Sequence, residues 1–102
     1  MIDYKKGDGL VPVIIQDNET NLVYMLGYTN ELSFKKTKET GYVHFWSRSR
    51  NKLWMKGEDS GNKLKVVEIL TDCDDDTILI KVELEGKSVC HTGNLSCFFK
   101  KI

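Results

Sequence analysis

The feature that most constrains the fold of this chain is a regular alternation of side chains near its C-terminal end. From residue 78 onward every second residue is a large aliphatic one: Ile78, Ile80, Val82 and Leu84. Because successive side chains of a strand point to opposite faces, this period of two predicts a half-buried β-strand. A chain of 102 residues is long enough for one modest core. We therefore expect a single domain, residues 1–102, built around a sheet.

Turn and capping residues predict the neighbouring elements. The apolar runs Val11–Gln16 and Leu22–Leu26 flank a turn-rich segment, which indicates a β-hairpin. Asn30 can cap a helix of about ten residues that ends near Thr40, with Gly41 as its stop. Because that helix is otherwise polar, only two of its residues, Leu32 and Phe34, are expected to touch the core.

The remaining segments are predicted to be short strands. They are Tyr42–Trp46, Lys52–Lys56, Lys65–Thr71 and Ser96–Phe99. Together these elements predict an α+β fold with a mainly antiparallel sheet and one α-helix, or a small pseudo-barrel as an alternative arrangement of the strands.

Charge and hydropathy argue against two classes of partner. Fifteen basic residues balance fifteen acidic ones, so no global field draws the protein to nucleic acid or to an anionic membrane. The N-terminal residues form no apolar targeting segment, and no stretch is long enough to span a bilayer. We therefore expect a cytoplasmic protein, in which clustered thiols more often hold a metal than form disulfides.

Three cysteines, Cys73, Cys90 and Cys97, suggest a metal centre. Three thiolates on one zinc ion leave a tetrahedral position open, which is typical of catalytic rather than structural zinc. Cys90 and Cys97 are seven residues apart, so they would have to meet across a loop that contains Gly93. The alternatives for this pair are buried small apolar residues or one disulfide. The simplest hypothesis is a zinc hydrolase.

An acidic run around Cys73 offers oxygen ligands for a harder cation. If the segment is extended, Asp72, Asp74 and Asp76 share one side, and Cys73 and Asp75 lie on the other. Carboxylates in this pattern suit magnesium or calcium. The alternative is a solvated acidic turn between strands.

One histidine follows a predicted thiolate directly. His91 is a fourth metal ligand, a general base beside the metal, or a loop residue without a role. We favour proton transfer, because imidazole ordinarily titrates in the range that such chemistry needs.

Two loops carry groups that bind anions. Ser47, Arg48, Ser49 and Arg50 combine guanidinium groups with hydroxyls, a combination that suits phosphate, although a solvated basic turn is the alternative. A second loop supplies Lys56 and Ser60, with glycines such as Gly61 that let backbone amides approach an anion. Two such loops suit a substrate with two phosphates. Trp46 is most often a core residue in such a position, but it could stack on a base.

In their order along the chain, these segments resemble the phosphoribosyl-AMP cyclohydrolases, the family of the third step of histidine biosynthesis. The resemblance runs nearly from end to end and is carried by Gly9-Leu10-Val11-Pro12, Met25-Leu26-Gly27-Tyr28, His44-Phe45-Trp46-Ser47-Arg48-Ser49-Arg50, Leu53-Trp54-Met55-Lys56-Gly57-Glu58, Ser60-Gly61, Asp72-Cys73-Asp74 with Asp76, Cys90-His91-Thr92-Gly93 and Ser96-Cys97-Phe98.

The resemblance implies an intertwined homodimer that shares its metal sites. One zinc ion per subunit would be bound by Cys73 of one subunit and by Cys90 and Cys97 of the other. Magnesium would be bound by the aspartates, Asp72, Asp74 and Asp76. Because the sequence has 102 residues, the resemblance implies only the cyclohydrolase activity and not the pyrophosphohydrolase to which many bacteria fuse this domain.

The implied reaction is hydrolysis of the N1–C6 bond in the adenine ring of phosphoribosyl-AMP, which opens the purine to a formimino-carboxamide ribonucleotide. His91 is the first candidate for the general base and Glu58 the second. Arg48, Arg50 and Lys56 would hold the phosphates. The competing hypotheses are a non-catalytic zinc-binding module and a β-domain that only binds nucleotides or phosphates.

Overall fold

The computed structural model describes all residues, 1–102, and contains six strands and one helix. In chain order the elements are β1 (Val11–Asp17), β2 (Val23–Thr29), α1 (Glu31–Thr40), β3 (His44–Ser47), β4 (Lys52–Met55), β5 (Lys63–Thr71) and β6 (Ile78–Glu85). Four strands form one sheet in the order β2-β1-β6-β5, while β3 and β4 form a separate pair. The α+β class is confirmed. No barrel closes, so the mainly antiparallel sheet is the correct one of the two predicted arrangements.

The core lies on one face of the four-stranded sheet. Strands β1 and β6 are parallel, with Val13 paired to Ile78, and every other pairing is antiparallel. The predicted alternation on β6 is confirmed, because Ile78, Ile80 and Val82 are buried while the residues between them are not. The buried residues of β1 (Val11, Val13 and Ile15) extend the same apolar surface.

The hairpin of β1 and β2 forms where its turn residues predict it. Asp17 Oδ2 accepts hydrogen bonds from the Thr20 backbone N–H at 2.8 Å and from its hydroxyl at 2.7 Å. Asn21 adopts a left-handed conformation with φ of 64°, which Asn tolerates better than most residues. Strand β2 runs on to Thr29, past the predicted end at Leu26, because β1 continues to offer it partners.

Helix α1 begins and ends at the predicted residues. Asn30 Oδ1 accepts from the Ser33 N–H, and Ser33 Oγ accepts from the Asn30 N–H, each at 2.9 Å. Gly41, with φ of 78°, closes the helix by donating its N–H to the Thr37 carbonyl at 3.0 Å. This reciprocal cap satisfies backbone donors that the first turn leaves free. At ten residues the helix is too short and too polar to cross a membrane.

Of the two α1 residues that were predicted to touch the core, one does and one does not. Phe34 is buried, but Leu32 is 49% exposed, and the polar Ser33 and Thr37 are buried instead. Thr37 Oγ1 accepts from the His44 N–H at 2.9 Å and donates to the Ser33 carbonyl at 3.1 Å. Because these hydroxyls find hydrogen-bond partners, burying them costs little, and the helix turns that face toward β3.

The predicted strand Ser96–Phe99 does not form. The segment is irregular and is anchored to β2 by single bonds: Ser96 Oγ donates to the Val23 carbonyl at 2.7 Å, and the Cys97 N–H donates to the Tyr24 carbonyl at 2.8 Å. A few anchoring bonds do not make a ladder. Cys97 therefore lies on a loop that is fixed to the sheet edge.

Candidate functional site

Cys90 and Cys97 lie close enough together for each thiol to shift the pKa of the other. The Thr92 hydroxyl donates to Cys90 Sγ at 3.0 Å. This bond is the main reason why the pKa of Cys90 lies below its usual value, and the Cys97 thiol and the Lys56 ammonium add to the effect. Burial and the contact with Cys90 raise the pKa of Cys97. Cys90 is therefore the more acidic thiol of the pair, and a thiolate is the form that binds a metal.

A tight loop brings these two residues together across their separation of seven. The Val89 N–H donates to the Leu95 carbonyl at 3.2 Å, and the Cys90 N–H donates to the Asn94 carbonyl at 3.1 Å. Gly93 has φ of 94°, a conformation that residues with a Cβ rarely adopt. The expected meeting across a loop that contains Gly93 is confirmed.

Cys73 does not join this pair within one chain. It is exposed in the turn between β5 and β6. The one group of three potential metal ligands that the chain assembles consists of Asp72, Asp74 and Asp76. A site built from all three thiols therefore requires Cys73 from a second copy of the chain.

The acidic segment is a turn, so the prediction of an extended segment is wrong. Asp72 Oδ1 accepts from the N–H groups of Asp76 at 3.1 Å and Thr77 at 3.2 Å, and Asp75 has φ of 60°. Backbone bonding to an aspartate side chain curls the segment. The turn nevertheless gathers ligand atoms of Asp72, Asp74 and Asp76 within 4.8 Å of one another. Three carboxylates at this spacing fit a hard divalent cation.

Lys6 already places a cation at this cluster. Its Nζ lies 3.3 Å from Asp74 Oδ2 and 3.6 Å from Asp76 Oδ2. The hydrogen bonds from Asp76 and Lys6 lower the pKa of Asp74, whereas contact with Asp74, burial and contact with Asp72 raise the pKa of Asp76. The opposite directions of the two pKa shifts make Asp74 the more acidic carboxyl of the pair. No sequence signal links Lys6 to this turn, which lies 68 residues away.

A cavity of about 240 Å³ brings the predicted catalytic residues together. Both proton-transfer candidates, His91 and Glu58, line it. The other lining residues include the predicted substrate contacts Arg50, Lys56 and Ser60, together with Trp54, Met55, Gly57 and Asp59. Gly61 lies outside the lining and closes the loop behind it by donating its N–H to the Gly57 carbonyl at 2.8 Å.

This cavity adjoins the thiol pair. Lys56 lines the cavity, and its positive charge helps to lower the pKa of Cys90 and partly opposes the rise in the pKa of Cys97. His91 follows Cys90 directly in the chain. One face of the molecule therefore combines two candidate metal ligands, two candidate proton-transfer groups and a cation that could face an anionic substrate.

A second groove, of about 560 Å³, lies between β2 and the β3–β4 hairpin. The predicted phosphate-binding turn lines it with Ser47, Arg48, Ser49 and Arg50, and its aromatic residues include Trp46 and Trp54. Arg50 and Trp54 line both this groove and the smaller cavity. The two sites are therefore neighbours that share a wall.

The groove contains a contact that sequence reasoning missed. The Arg48 guanidinium lies 3.9 Å from the centre of the Tyr28 ring, which is a cation–π contact. Gly27 also lines the groove, and a Cβ there would come within 2.6 Å of the buried Phe45 ring. The Met25-Leu26-Gly27-Tyr28 segment, noted only as part of a resemblance, thus forms one side of the groove.

A model of the phosphoribosyl-AMP cyclohydrolase family matches residues 25–99. The chain belongs to this family. Among similar proteins are the phosphoribosyl-AMP cyclohydrolase of Solibacter usitatus (strain Ellin6076), 55% identical over 99% of this chain and 80% of the relative, and that of Desulfotalea psychrophila, 53% identical over 96% and 77%. The same-named protein of Geobacter sulfurreducens is 55% identical over 96% and 78%.

The part of the chain that matches the phosphoribosyl-AMP cyclohydrolase model includes almost every element of the site. It contains the three cysteines, the acidic turn, the small cavity and the groove. Lys6, the cation at the acidic turn, lies outside the matched range.

Proposed function

We propose that this chain hydrolyses the N1–C6 bond of phosphoribosyl-AMP and opens the purine ring to the formimino-carboxamide ribonucleotide, the third step of histidine biosynthesis. The family supports the reaction. The observation that carries it is the cavity in which His91, Glu58 and Lys56 meet beside the Cys90–Cys97 pair.

We propose zinc as one cofactor, one ion per subunit. Cys90 and Cys97 would hold it together with Cys73 of the partner subunit, and the soft sulfur donors suit this metal. Zinc, when bound, supplies a Lewis acid that makes water nucleophilic near neutral pH.

Sharing of ligands requires a homodimer, and the surface is consistent with one. Several large apolar residues are left exposed near the thiols and on β5: Val67 (44%), Leu70 (41%), Phe98 (64%) and Phe99 (45%). Apolar groups exposed in this number often mark a protein interface. A second copy that covers them would also deliver its Cys73.

The proton-transfer roles fall to groups that face the cavity. His91 accepts a proton from the attacking water on a ring nitrogen, and a proton is returned to N1 as the ring opens. Glu58, which lines the same cavity, is the second candidate for this base. Both side chains are exposed, so each can reach a substrate without a rearrangement of the core.

The two phosphates of the substrate require separate anchors. Lys56, Ser60 and the Gly61 backbone lie at the small cavity or beside it, and the β3–β4 turn with Arg48 lies at the groove. Arg50 belongs to both. Binding both phosphates would hold the purine between them, and Trp46, which lines the groove, would stack on a base. Ser47 and Ser49 add hydroxyl donors to the turn.

We propose that magnesium binds Asp72, Asp74 and Asp76, and that it must compete with Lys6. Replacing Lys6 by Met removes an ammonium that lies within 3.6 Å of two carboxylates. We expect magnesium to bind about two- to fivefold more tightly, the range typical of an exposed ion pair. Isothermal titration with magnesium at fixed ionic strength measures the change.

Lys5→Met is the matched control, because it removes the same charge from a residue that makes no side-chain contact with the cluster. Equal tightening in both variants would assign the effect to net charge alone. Unchanged affinity in Lys6→Met would show that this lysine does not compete for the site.

The test of the reaction is a direct assay. Purified protein with phosphoribosyl-AMP should show the ultraviolet change of ring opening, lose it after zinc is chelated, and regain it when zinc is restored. Activity that survives complete zinc removal would refute the zinc dependence. If the zinc-loaded protein binds the nucleotide without any spectral change, the binding-domain hypothesis is correct. If it binds zinc but no nucleotide, a structural zinc module is favoured.

A further inference from the structure

The cavity that contains His91 and Glu58 is assembled from two loops that are distant in sequence. Glu58 lies in the β4–β5 connection, residues 56–62, whereas His91 is the one lining residue that comes from the chain after β6. The distance between the two proton-transfer groups therefore depends on whatever joins these loops.

The side chain of Asn62 joins them. Its Oδ1 accepts a hydrogen bond from the Lys87 backbone N–H at 3.0 Å, and its Nδ2 donates to Ser88 Oγ at 3.4 Å. Asn62 and Ser88 are both half-buried, so water competes less for these bonds than at a fully exposed surface. One amide thus bonds across the gap to two consecutive residues of the second loop.

Two glycines make room for this contact. A Cβ on Gly57 would collide with the Asn62 carbonyl, and a Cβ on Gly86 would collide with the Asn62 side chain. Both glycines have positive φ, 88° and 153° respectively, so any other residue would also be strained there. The backbones on both sides are shaped to let Asn62 approach closely.

Each loop has further hydrogen bonds beyond the point where Asn62 holds it. The Gly61 N–H to Gly57 carbonyl bond closes the first loop on the Glu58 side. On the other side Val89 is 2% exposed, and its N–H bond to Leu95 ties down the chain just before His91. Asn62 fixes the backbone position of Lys87. Because the segment from Lys87 to His91 is short and hydrogen-bonded, this also limits where His91 can lie.

We propose that Asn62 is a positioning residue that sets the separation of His91 and Glu58 across the cavity, an inference that rests on the function proposed above. Asn62 is not a proposed metal ligand and does not itself line the cavity, although its backbone N–H donates to Ser60 Oγ, which does. Its role is to hold the base at the distance that the reaction requires. A misplacement of about 1 Å can lower a rate a hundredfold, so the expected effect is on turnover rather than on substrate binding.

The test compares Asn62→Ala with Asn62→Asp, which keeps an oxygen acceptor for the Lys87 N–H. In Asn62→Ala we expect kcat to fall about ten- to a hundredfold, with KM changed by less than about threefold and zinc retained. Hydrogen exchange at the Lys87 amide should be at least about tenfold faster. Asn62→Asp should restore kcat to within about threefold of wild type. Asn18→Ala, in the β1–β2 turn, is the control for loss of an asparagine side chain away from the cavity.

Several outcomes would overturn the inference. Wild-type kcat in Asn62→Ala, despite faster exchange at Lys87, would show that the bond does not matter to turnover. Equal loss in Asn62→Ala and Asn62→Asp would show that the acceptor oxygen of Asn62 is not what supports turnover.

If wild-type protein proves inactive on phosphoribosyl-AMP, the proposed function fails. Crystal structures of wild type and Asn62→Ala then decide the inference alone, because an unchanged separation of Glu58 and His91 refutes it.

Discussion

A one-to-one mixture of the Cys73→Ser and Cys97→Ser variants, unfolded and refolded together, is expected to recover about a quarter of the wild-type rate, although each variant alone is inactive and free of zinc. Within one chain Cys73 does not group with Cys90 and Cys97. If the site is shared, a mixed dimer keeps Cys73 from one subunit and the thiol pair from the other. About half of randomly formed dimers are mixed, and each has one complete site of two.

The matched control is a mixture of Cys90→Ser and Cys97→Ser. These ligands come from the same chain, so no pairing of the two variants restores a complete site, and the mixture should stay inactive. Zinc content and turnover are measured on both mixtures, and native mass spectrometry counts the mixed dimers. Recovery in neither mixture, with mixed dimers present, would refute the shared site. Recovery in both would show that the assignment of thiols to subunits is wrong.

Replacing His91 by Ala is expected to lower kcat by about 10²–10⁴, the usual contribution of a positioned general base. His91 lines the cavity beside Lys56 and Glu58 but does not belong to the hydrogen-bonded framework of its loop. Zinc content and fold should therefore be unchanged. Steady-state kinetics measure the loss, and metal analysis together with circular dichroism checks that zinc content and fold are retained.

The other histidine supplies the control. His44 lies in β3 with its Nδ1 2.8 Å from the Tyr42 carbonyl, outside both cavities, and His44→Asn keeps a donor for that carbonyl. It should leave the rate within about threefold of wild type. A loss of less than about threefold in His91→Ala, with zinc retained, removes His91 from the mechanism and leaves Glu58 as the remaining candidate.

The elements that sequence predicts well are those whose signals are local. The alternation of β6, the turn residues before β2 and the Asn30 and Gly41 caps each act over a few residues, and all are confirmed. The two predicted anion-binding loops are also confirmed as loops, and they line adjacent cavities. Their binding of phosphate remains a prediction, as does metal binding by the cysteines and aspartates.

The predictions that fail are those that depend on distant partners. Leu32 is exposed because the helix packs through Ser33 and Thr37, whose hydroxyls are satisfied by neighbouring backbone groups. Ser96–Phe99 is not a strand because β2 bonds to it at a few points only. The acidic segment curls because the Asp72 carboxylate captures two backbone N–H groups.

The sequence alone was sufficient to identify the fold class, the candidate ligands and the family, because residue types at fixed spacings along the chain carry that information. The tertiary structure decided which of them meet. It placed the Lys6 ammonium at aspartates 68 residues away, and it joined the loops of Glu58 and His91 through an asparagine whose partners are 25 and 26 residues distant. Such contacts depend on how the strands pack, and no short-range pattern specifies that.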